Sequence, residues 1–231
     1  MPIVARLEHS VNKKIAFFSL VDKPVEIVVR GNSQVLMFIS QFDNFKAALA
    51  NSNNQTLLDR FYFGGTCAVL SSEQEAELRR LVSGKYGVNM RDVIVTGSAK
   101  LGFTTVAKID RPIFSEFGNT SDIDIAIISE DLFLRFWKKV FDYQNEHGNN
   151  WHDSNSFRKY HLRGWMRPDR LPAGENFPSS NEWFEFFREL TSSGKFGHYK
   201  ITAGVYFNEY FWNQYVSLAF DQCRKELEKL A

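Results

Sequence analysis

The chain has few of the residues that build disulfide frameworks, zinc centres or membrane anchors. Its 231 residues include only 2 Cys, Cys67 and Cys223, which lie far apart and form neither a metal-type spacing nor a disulfide framework. The 5 His residues show no clustered ligand spacing, which argues against zinc. No apolar run approaches the roughly 18 residues of a membrane span, and the first residues lack a signal peptide's apolar stretch. These absences predict a cytoplasmic protein without a membrane segment.

The charge balance also excludes a class of function. The formal net charge is +1, which argues against a protein that coats nucleic acid over its whole surface. Apolar residues make up 44% and charged residues 24%, as in ordinary globular proteins, and the 22 Phe residues suggest a dense core. The length allows one large domain or two small ones.

Two acidic residues interrupt an apolar run at alternate positions. Residues 121 to 128 read SDIDIAII, and alternate side chains of a strand share a face, so Asp122 and Asp124 are expected to point the same way. Neighbouring carboxylates repel each other unless a cation lies between them, and oxygen-only ligands favour Mg²⁺. The pair predicts a metal site; the alternative is two ordinary strand-end acids.

A second motif precedes this strand. Residues 93 to 98 read VIVTGS, which predicts a short buried strand that ends in a Gly97-Ser98 turn. Such a turn offers free backbone N–H groups and a hydroxyl to a phosphate, although a glycine after a strand is often a plain turn. A phosphate-binding turn beside a carboxylate pair is the outline of a metal-assisted phosphoryl-transfer site.

At these residues the chain resembles the DNA polymerase β-like nucleotidyltransferase superfamily, whose motif is an apolar strand, Gly-Ser, a spacer and Asp-x-Asp. The motif core spans about residues 93 to 128, and a looser match of element order runs from about Gly64 onward. The resemblance implies that Asp122 and Asp124 are catalytic and bind Mg²⁺ or Mn²⁺. It implies an NTP as substrate, and we expect the nucleotide to be bound by Gly97, Ser98, Lys100 and Ser121.

The chain departs from that family in two places. The spacer between Ser98 and Asp122 is long, and its cations Lys100, Lys108 and Arg111 either meet phosphates or are ordinary solvated charges. The family usually carries a third carboxylate on a later strand, where it often acts as the base. The best later strand, residues 199 to 207, has no acid; the nearest acids are Asp153, Asp169, Glu175 and Glu209.

The pattern of elements predicts an α+β fold, a nucleotidyltransferase-like mixed sheet flanked by helices. Residues 1–55 are predicted to form an N-terminal extension, with strands at 15–18 and 25–29, that packs on the core or on a partner protein; residues 56–231 form the nucleotidyltransferase-like domain. Capping signals predict helices that begin with Ser72-x-x-Glu75 and Ser179-x-x-Glu182. A final helix is predicted from Glu209 to Leu230, with one stripe formed by Phe211, Tyr215, Leu218 and Gln222.

Residues 147 to 180 are predicted to be an irregular loop. Within them, residues 157–172 read FRKYHLRGWMRPDRLP, which mixes basic and aromatic residues that can grip phosphates and stack bases. This segment is either a surface for the acceptor or the nucleotide base, or a loop held down by Trp and Pro with solvated arginines.

These observations lead to three alternatives. The first is a Mg²⁺-dependent nucleotidyltransferase that moves NMP from an NTP to a hydroxyl of RNA, protein or a small molecule. The second is a catalytically inactive nucleotide or RNA sensor with the same fold, suggested by the missing third acid. The third is an antitoxin-like or complex-assembly subunit that uses the N-terminal extension and aromatic residues for protein contact. The resemblance also implies a role in toxin–antitoxin or anti-phage systems, in which small bacterial members of the superfamily often act.

Overall fold

The structure is a computed structural model that describes residues 33–118 and 120–230. The strands predicted at residues 15–18 and 25–29 therefore lie outside the described residues. The described residues form eight α-helices, four strands, a π-helical turn at Asp59–Phe63 and 3₁₀ turns at Met90–Asp92 and Pro168–Arg170.

The helices and strands are as follows. The helices are α1 (Ser33–Asn51), α2 (Asn54–Leu58), α3 (Ser72–Tyr86), α4 (Gly97–Leu101), α5 (Glu130–His147), α6 (Ser154–His161), α7 (Pro178–Ser192) and α8 (Glu209–Leu230). The strands are β1 (Val93–Thr96), β2 (Ile123–Ile128), β3 (Trp165–Met166) and β4 (Ile201–Tyr206). None of these helices is both long enough and apolar enough to cross a membrane.

The four strands form one mixed sheet in the order β1-β2-β4-β3. β2 is antiparallel to β1 and parallel to β4, and β3 pairs antiparallel with the outer edge of β4. The prediction of an α+β fold with a mixed sheet and flanking helices is confirmed. The sheet brings β4 beside the Asp-x-Asp strand although more than 70 residues separate Asp124 from Thr202.

Alternation along the strands sends apolar side chains to both faces of the sheet. Ile123, Ile125 and Ile127 of β2 pack against residues of α3, α5 and α7. The opposite face, which includes Ala126, packs against α1, α2 and α8. Full burial of one such side chain contributes about 1.5–3 kcal/mol, so the two layers hold the sheet firmly. Residues 33–55 enter this second layer through Phe45, which is fully buried.

The N-terminal caps predicted for α3 and α7 differ from those in the structure. The capping box of α3 uses Ser71 and Gln74, so the predicted Ser72–Glu75 pair is wrong by one residue. The helix ends at Gly87, whose φ of 67° is the left-handed conformation that glycine tolerates. Ser179 does not cap α7, which begins at Pro178; its hydroxyl instead accepts a hydrogen bond from Lys139 Nζ at 2.6 Å.

The final helix has the predicted bounds but a different buried stripe. The residues of α8 that enter the core are Trp212, Val216, Ala219, Phe220 and Cys223. The predicted stripe through Phe211 and Leu218 is wrong, since Leu218 is 59% exposed. Aromatic residues occupy both sides of this helix, so apolar periodicity alone selected the wrong side.

Residues 147 to 180 are more regular than predicted. They contain α6, the short strand β3 and a 3₁₀ turn rather than one long loop. β3 runs beside β4, with Trp165 opposite Tyr206, and thereby carries the basic and aromatic segment to the sheet. This position matters because the next residues, Arg167 and Asp169, reach the candidate site.

His161, near the end of α6, gives a stability prediction. Its ring stacks on Phe133 and Phe157, Nε2 is buried without a hydrogen-bond partner, and burial lowers the pKa of the imidazole. The folded protein therefore resists protonation that the unfolded chain accepts below about pH 6.5. The contribution of neutral His161 to the free energy of unfolding should be fully present above that pH and should decrease as the pH falls below it. His161→Phe should remove part of this decrease.

Urea unfolding between pH 5 and 8 measures this effect. The free energy of unfolding of His161→Phe minus that of the unmodified protein should increase as the pH falls. A difference that is the same at every pH would contradict the assignment of a neutral, buried imidazole.

Candidate active site

The candidate site lies at the end of the sheet where β1 stops and β2 and β4 begin. Thr96 is paired with Asp124 across β1 and β2, and Asp124 is paired with Thr202 across β2 and β4. Directly paired residues project from the same face with Cβ atoms about 5 Å apart. The register therefore sets the three side chains in one row, with the carboxylate in the middle.

The two acids of the Asp-x-Asp motif share one cavity. Asp122 directly precedes β2, Asp124 is the second residue of β2, and both line the cavity. Thr202 Oγ1 donates a hydrogen bond of 2.7 Å to Asp124 Oδ1. Burial raises the pKa of the Asp124 carboxyl and the nearby Asp122 raises it further, while Thr202, Lys108 and Arg167 act in the opposite direction. Two ionised carboxylates, those of Asp122 and Asp124, are therefore costly in this cavity unless a cation lies between them.

The Gly-Ser turn lies directly beside these acids. β1 ends at Thr96, and α4 starts at Gly97 with a φ of 62°. A Cβ added at Gly97 would lie 3.5 Å from Asp124 Oδ2, so a glycine keeps this space free next to the carboxylate. Gly97 and Ser98 both line the cavity with Asp122 and Asp124.

The cavity has a volume of about 790 Å³ and is rich in cations. This volume falls in the upper part of the usual range for small-molecule sites. Five basic residues line it: Lys108, Arg111, Arg167, Arg188 and Lys200. The loop cations Lys108 and Arg111, which the sequence left undecided, thus face the same space as the acids.

Arg167 is held rigidly at the edge of this cavity. Its Nε and Nη2 donate to the two carboxylate oxygens of Asp169 at 3.0 and 2.8 Å. Its guanidinium also lies over the rings of Tyr160 and Trp165, at 4.8 and 5.1 Å from their centroids. A bidentate, stacked arginine loses little further conformational freedom when it meets an anion.

The acids considered as a third carboxylate have different positions. Asp169 lines the cavity, but Arg167 engages both of its oxygens. Asp153 is bound by Arg170 at 2.7 Å and is not part of the cavity lining, and neither are Glu175 and Glu209. On β4 the residue beside Asp124 is a threonine, Thr202.

Two predicted nucleotide-binding residues lie elsewhere. Lys100 is 3% exposed, and its Nζ forms an ion pair of 3.0 Å with Glu75 Oε1 of α3. It lies three residues beyond Gly97 along α4, on the side that faces α3 rather than the acids. Ser121 is buried, and its Oγ accepts a hydrogen bond from the Gly118 N–H at 3.0 Å. Neither residue belongs to the lining of the cavity.

Sequence reasoning missed several residues of the site. Tyr62, from the π-helical turn, is buried in the cavity wall with its hydroxyl directed at Thr96 and Gly97, and burial raises its pKa. Trp165 lies over Gly204, where an added Cβ would come within 2.4 Å of the indole Nε1. A glycine inside an apolar strand signals such a close approach, so Gly204 was a usable clue. Nothing in the sequence marked Tyr62.

Comparisons with protein-family models, with curated proteins and with solved structures found no match. Among the described residues, no three His, Cys, Asp or Glu side chains are grouped to hold a metal ion by themselves. The chemistry of the cavity therefore has to be derived from the carboxylate pair, the Gly-Ser turn and the surrounding cations.

Proposed function

We propose that this protein is a Mg²⁺-dependent nucleotidyltransferase that moves NMP from an NTP to a hydroxyl group. The observation that carries the proposal is that Gly97, directly after β1, lies beside Asp124 of the paired strand β2, with Asp122 lining the same cavity. A free turn for phosphates next to a carboxylate pair for a divalent cation suits phosphoryl-group chemistry.

The donor set fits Mg²⁺ rather than a softer metal. Asp122 and Asp124 supply oxygen ligands, and burial together with the charge of Asp122 raises the pKa of the Asp124 carboxyl, so a cation bound between the two would stabilise the ionised pair. Because Mg²⁺ is usually bound by one or two carboxylates plus substrate phosphates, two protein ligands are sufficient. When bound, the metal would neutralise charge on the phosphates and polarise the phosphoryl group.

The residues of the chain would act by positioning. The Gly97 N–H and Ser98 hydroxyl would receive phosphate oxygens, and the Lys108 and Arg111 side chains, which line the same cavity, would balance the triphosphate charge. The acceptor oxygen would form a bond to the α-phosphorus while the bond from that phosphorus to the bridging oxygen breaks. Pyrophosphate would leave with the electron pair, and the hydroxyl proton would pass to solvent. Catalysis of this kind depends on orientation and charge neutralisation.

Incubation with each α-labelled NTP, cell extract and Mg²⁺ or Mn²⁺ tests the proposal. Label should appear on an acceptor in the extract with one or more nucleotides, and chelation of the metal should stop the transfer. Nucleotide binding without any labelled product under either metal would contradict enzymatic transfer.

Replacement of Gly97 should separate activity from folding. Gly97→Ala introduces a methyl group 3.5 Å from Asp124 Oδ2 in a backbone with positive φ, so phosphate approach should suffer and transfer should fall about tenfold or more. Gly87→Ala is the matched control because its φ is 67° and no atom lies within 4 Å of the added carbon. Label transfer by the two variants is the measurement; equal activities would contradict the assigned role of Gly97.

A nucleotide sensor without turnover is the second candidate. It is favoured by Thr202, which occupies the β4 position beside Asp124 and hydrogen bonds to it. A threonine cannot act as the carboxylate base that would accept the proton of an attacking hydroxyl. Tight, metal-dependent NTP binding with no transfer to any acceptor would favour the sensor.

A further inference from the structure

We infer that one side of α5, together with the end of α6, binds an anionic lipid surface. This inference is independent of the proposed transfer, since it concerns residues that do not line the cavity of the acids. The surface, called the α5–α6 patch below, is defined by four exposed apolar side chains, those of Leu134, Trp137, Phe141 and Leu162.

Helix α5 carries an exposed apolar stripe beside its buried one. Its buried residues include Phe136 and Val140, which pack in the core. Leu134, Trp137 and Phe141 are 46%, 46% and 56% exposed and follow one another at intervals of three and four residues, so they share one side of the helix. The outer side of a surface helix usually carries charged or polar residues. Packing within the core therefore does not explain the second stripe.

The end of α6 continues this apolar surface. The ring centroids of His161 and Trp137 are 4.6 Å apart, and Leu162, which directly follows His161, is 85% exposed. Single exposed apolar side chains are ordinary on a protein surface. Four large ones close together mark a site of interaction with a protein or a membrane.

Three cations adjoin the patch. Lys138 lies one helical turn from two members of the α5 stripe, while Lys159 lies one turn before Leu162 and Arg163 directly follows Leu162. All three are exposed, and within the residues that the structure describes their side chains form no ion pair or hydrogen bond. Their apolar stems can lie along the patch while the charged ends bind an anionic partner.

The first turn of α5 has two acids next to the patch, and both already have partners. Glu130 accepts a hydrogen bond of 3.1 Å from Asn208 Nδ2. Asp131 forms an ion pair of 3.0 Å with Arg135. Neither acid therefore neutralises the three cations of the patch.

The later acids of α5 lie away from the patch. Asp142 and Glu146 come five and nine residues after Trp137, which places them on the opposite side of the helix. The patch thus combines apolar side chains with a local positive charge. A second copy of this chain would bring the same cations face to face in a two-fold contact, so the occupant should be anionic instead.

An anionic lipid surface suits this combination of side chains. Tryptophan is enriched at membrane interfaces, phenylalanine and leucine insert at the boundary of headgroups and acyl chains, and lysine and arginine bind anionic headgroups. A lipid surface also needs no matching shape, and the four apolar residues come from two elements rather than from the walls of the cavity. An acidic protein helix is the competing occupant, which the experiment distinguishes.

Sedimentation with vesicles tests the inference. The protein is mixed with vesicles of phosphatidylcholine alone or of phosphatidylcholine with phosphatidylglycerol, and the bound fraction is measured after centrifugation. Each basic side chain near an anionic surface strengthens binding about fivefold, so the three cations should favour the anionic vesicles by about 100-fold. High salt should reduce this preference because it screens the charges.

An apolar variant locates the binding surface. Phe141→Ser/Leu162→Ser removes the two most exposed side chains of the patch and should weaken binding to anionic vesicles about tenfold or more. Ile109→Ser/Leu218→Ser is the matched control, since both residues are exposed apolar side chains outside the patch, and it should bind like the unmodified protein. Urea unfolding checks that both variants fold.

A charge variant tests the cations separately. Lys138→Glu/Lys159→Glu should weaken binding to anionic vesicles about 25-fold or more and leave the weak binding to neutral vesicles unchanged. Lys195→Glu/Lys225→Glu makes the same change of net charge at exposed lysines outside the patch and should have a much smaller effect.

Equal binding to the two kinds of vesicle, or equal losses in a variant and its control, would overturn the inference. Absence of binding to anionic vesicles by the unmodified protein would overturn it as well, and an acidic protein whose binding depends on the same residues would then be the occupant. Label transfer, measured on the same preparations, should be retained by the patch variants. Failure of vesicle binding and failure of the proposed function are therefore distinguishable.

Discussion

Asp124→Asn is expected to lower nucleotidyl transfer by about 10³-fold or more without loss of stability. The amide removes the charge that would hold the metal, and loss of a bound metal removes several kcal/mol of transition-state stabilisation. The carbonyl oxygen of the introduced amide would still accept the hydrogen bond that Thr202 donates to the native Oδ1. Since burial and Asp122 raise the pKa of Asp124, removing this charge should keep or increase the free energy of unfolding at pH 7.

Asp142→Asn is a suitable control for this variant. Asp142 lies on the exposed side of α5 and does not line the cavity, so neither activity nor stability should change much. Label transfer and urea unfolding, measured on the same preparations, give both quantities. A variant at Asp124 that retains activity within tenfold of the unmodified protein would contradict its assignment as a metal ligand.

Gly164→Ala is expected to cause the largest loss of stability of any single methyl group added at a described glycine, about 3 kcal/mol. Gly164 connects α6 to β3 with a φ of 65°, a conformation that costs alanine about 1 kcal/mol or more. An added Cβ would also lie 2.3 Å from Cγ of Phe211 on α8, and overpacking of this kind costs typically 1–3 kcal/mol. The Gly164 carbonyl accepts the Phe207 N–H at 2.8 Å, which limits how far the backbone can move.

Gly194→Ala isolates the contribution of the clash. Gly194 has a φ of 66° and no atom within 4 Å of the added carbon, so it reports the backbone cost alone. In urea unfolding, Gly164→Ala should be clearly less stable than Gly194→Ala, and Gly164→Ala combined with Phe211→Ala should recover part of the difference. Equal losses at the two glycines would show that the ring of Phe211 moves aside freely.

The strongest local patterns predicted the centre of the fold. The strands β1, β2 and β4 are short apolar runs next to turn residues, and their backbone states follow from local sequence. The short strand β3 was not predicted because two residues carry no periodicity, and it exists only because β4 offers a free edge. The wrong stripe on α8 has a related cause. Aromatic residues lie on both sides of that helix, and contact with the sheet selects Trp212 rather than Phe211 for the core.

The residues of the candidate site also divide into those that local motifs predict and those that depend on contacts between distant parts of the chain. Asp122, Asp124, Gly97 and Ser98 belong to two local motifs, and the pairing of Thr96 with Asp124 brings these motifs together. The neighbour of Asp124 on β4, Thr202, depends on a register set across more than 70 residues of chain, which local pattern does not encode. For Lys100, proximity in sequence was misleading. We expected this lysine to bind the nucleotide because it follows the Gly97-Ser98 turn closely, but its side chain is buried in an ion pair with Glu75.

The central claim is transfer of a nucleotidyl group at the cavity of Asp122 and Asp124, and parallel labelling at two phosphates tests it most directly. The protein is incubated with extract, Mg²⁺ and an NTP that carries label at either the α- or the γ-phosphate. The account predicts that α-label becomes bound to an acceptor while γ-label is released as pyrophosphate, and that Asp122→Asn/Asp124→Asn abolishes both. Transfer of γ-label to an acceptor, or equal transfer by the double variant, would contradict it.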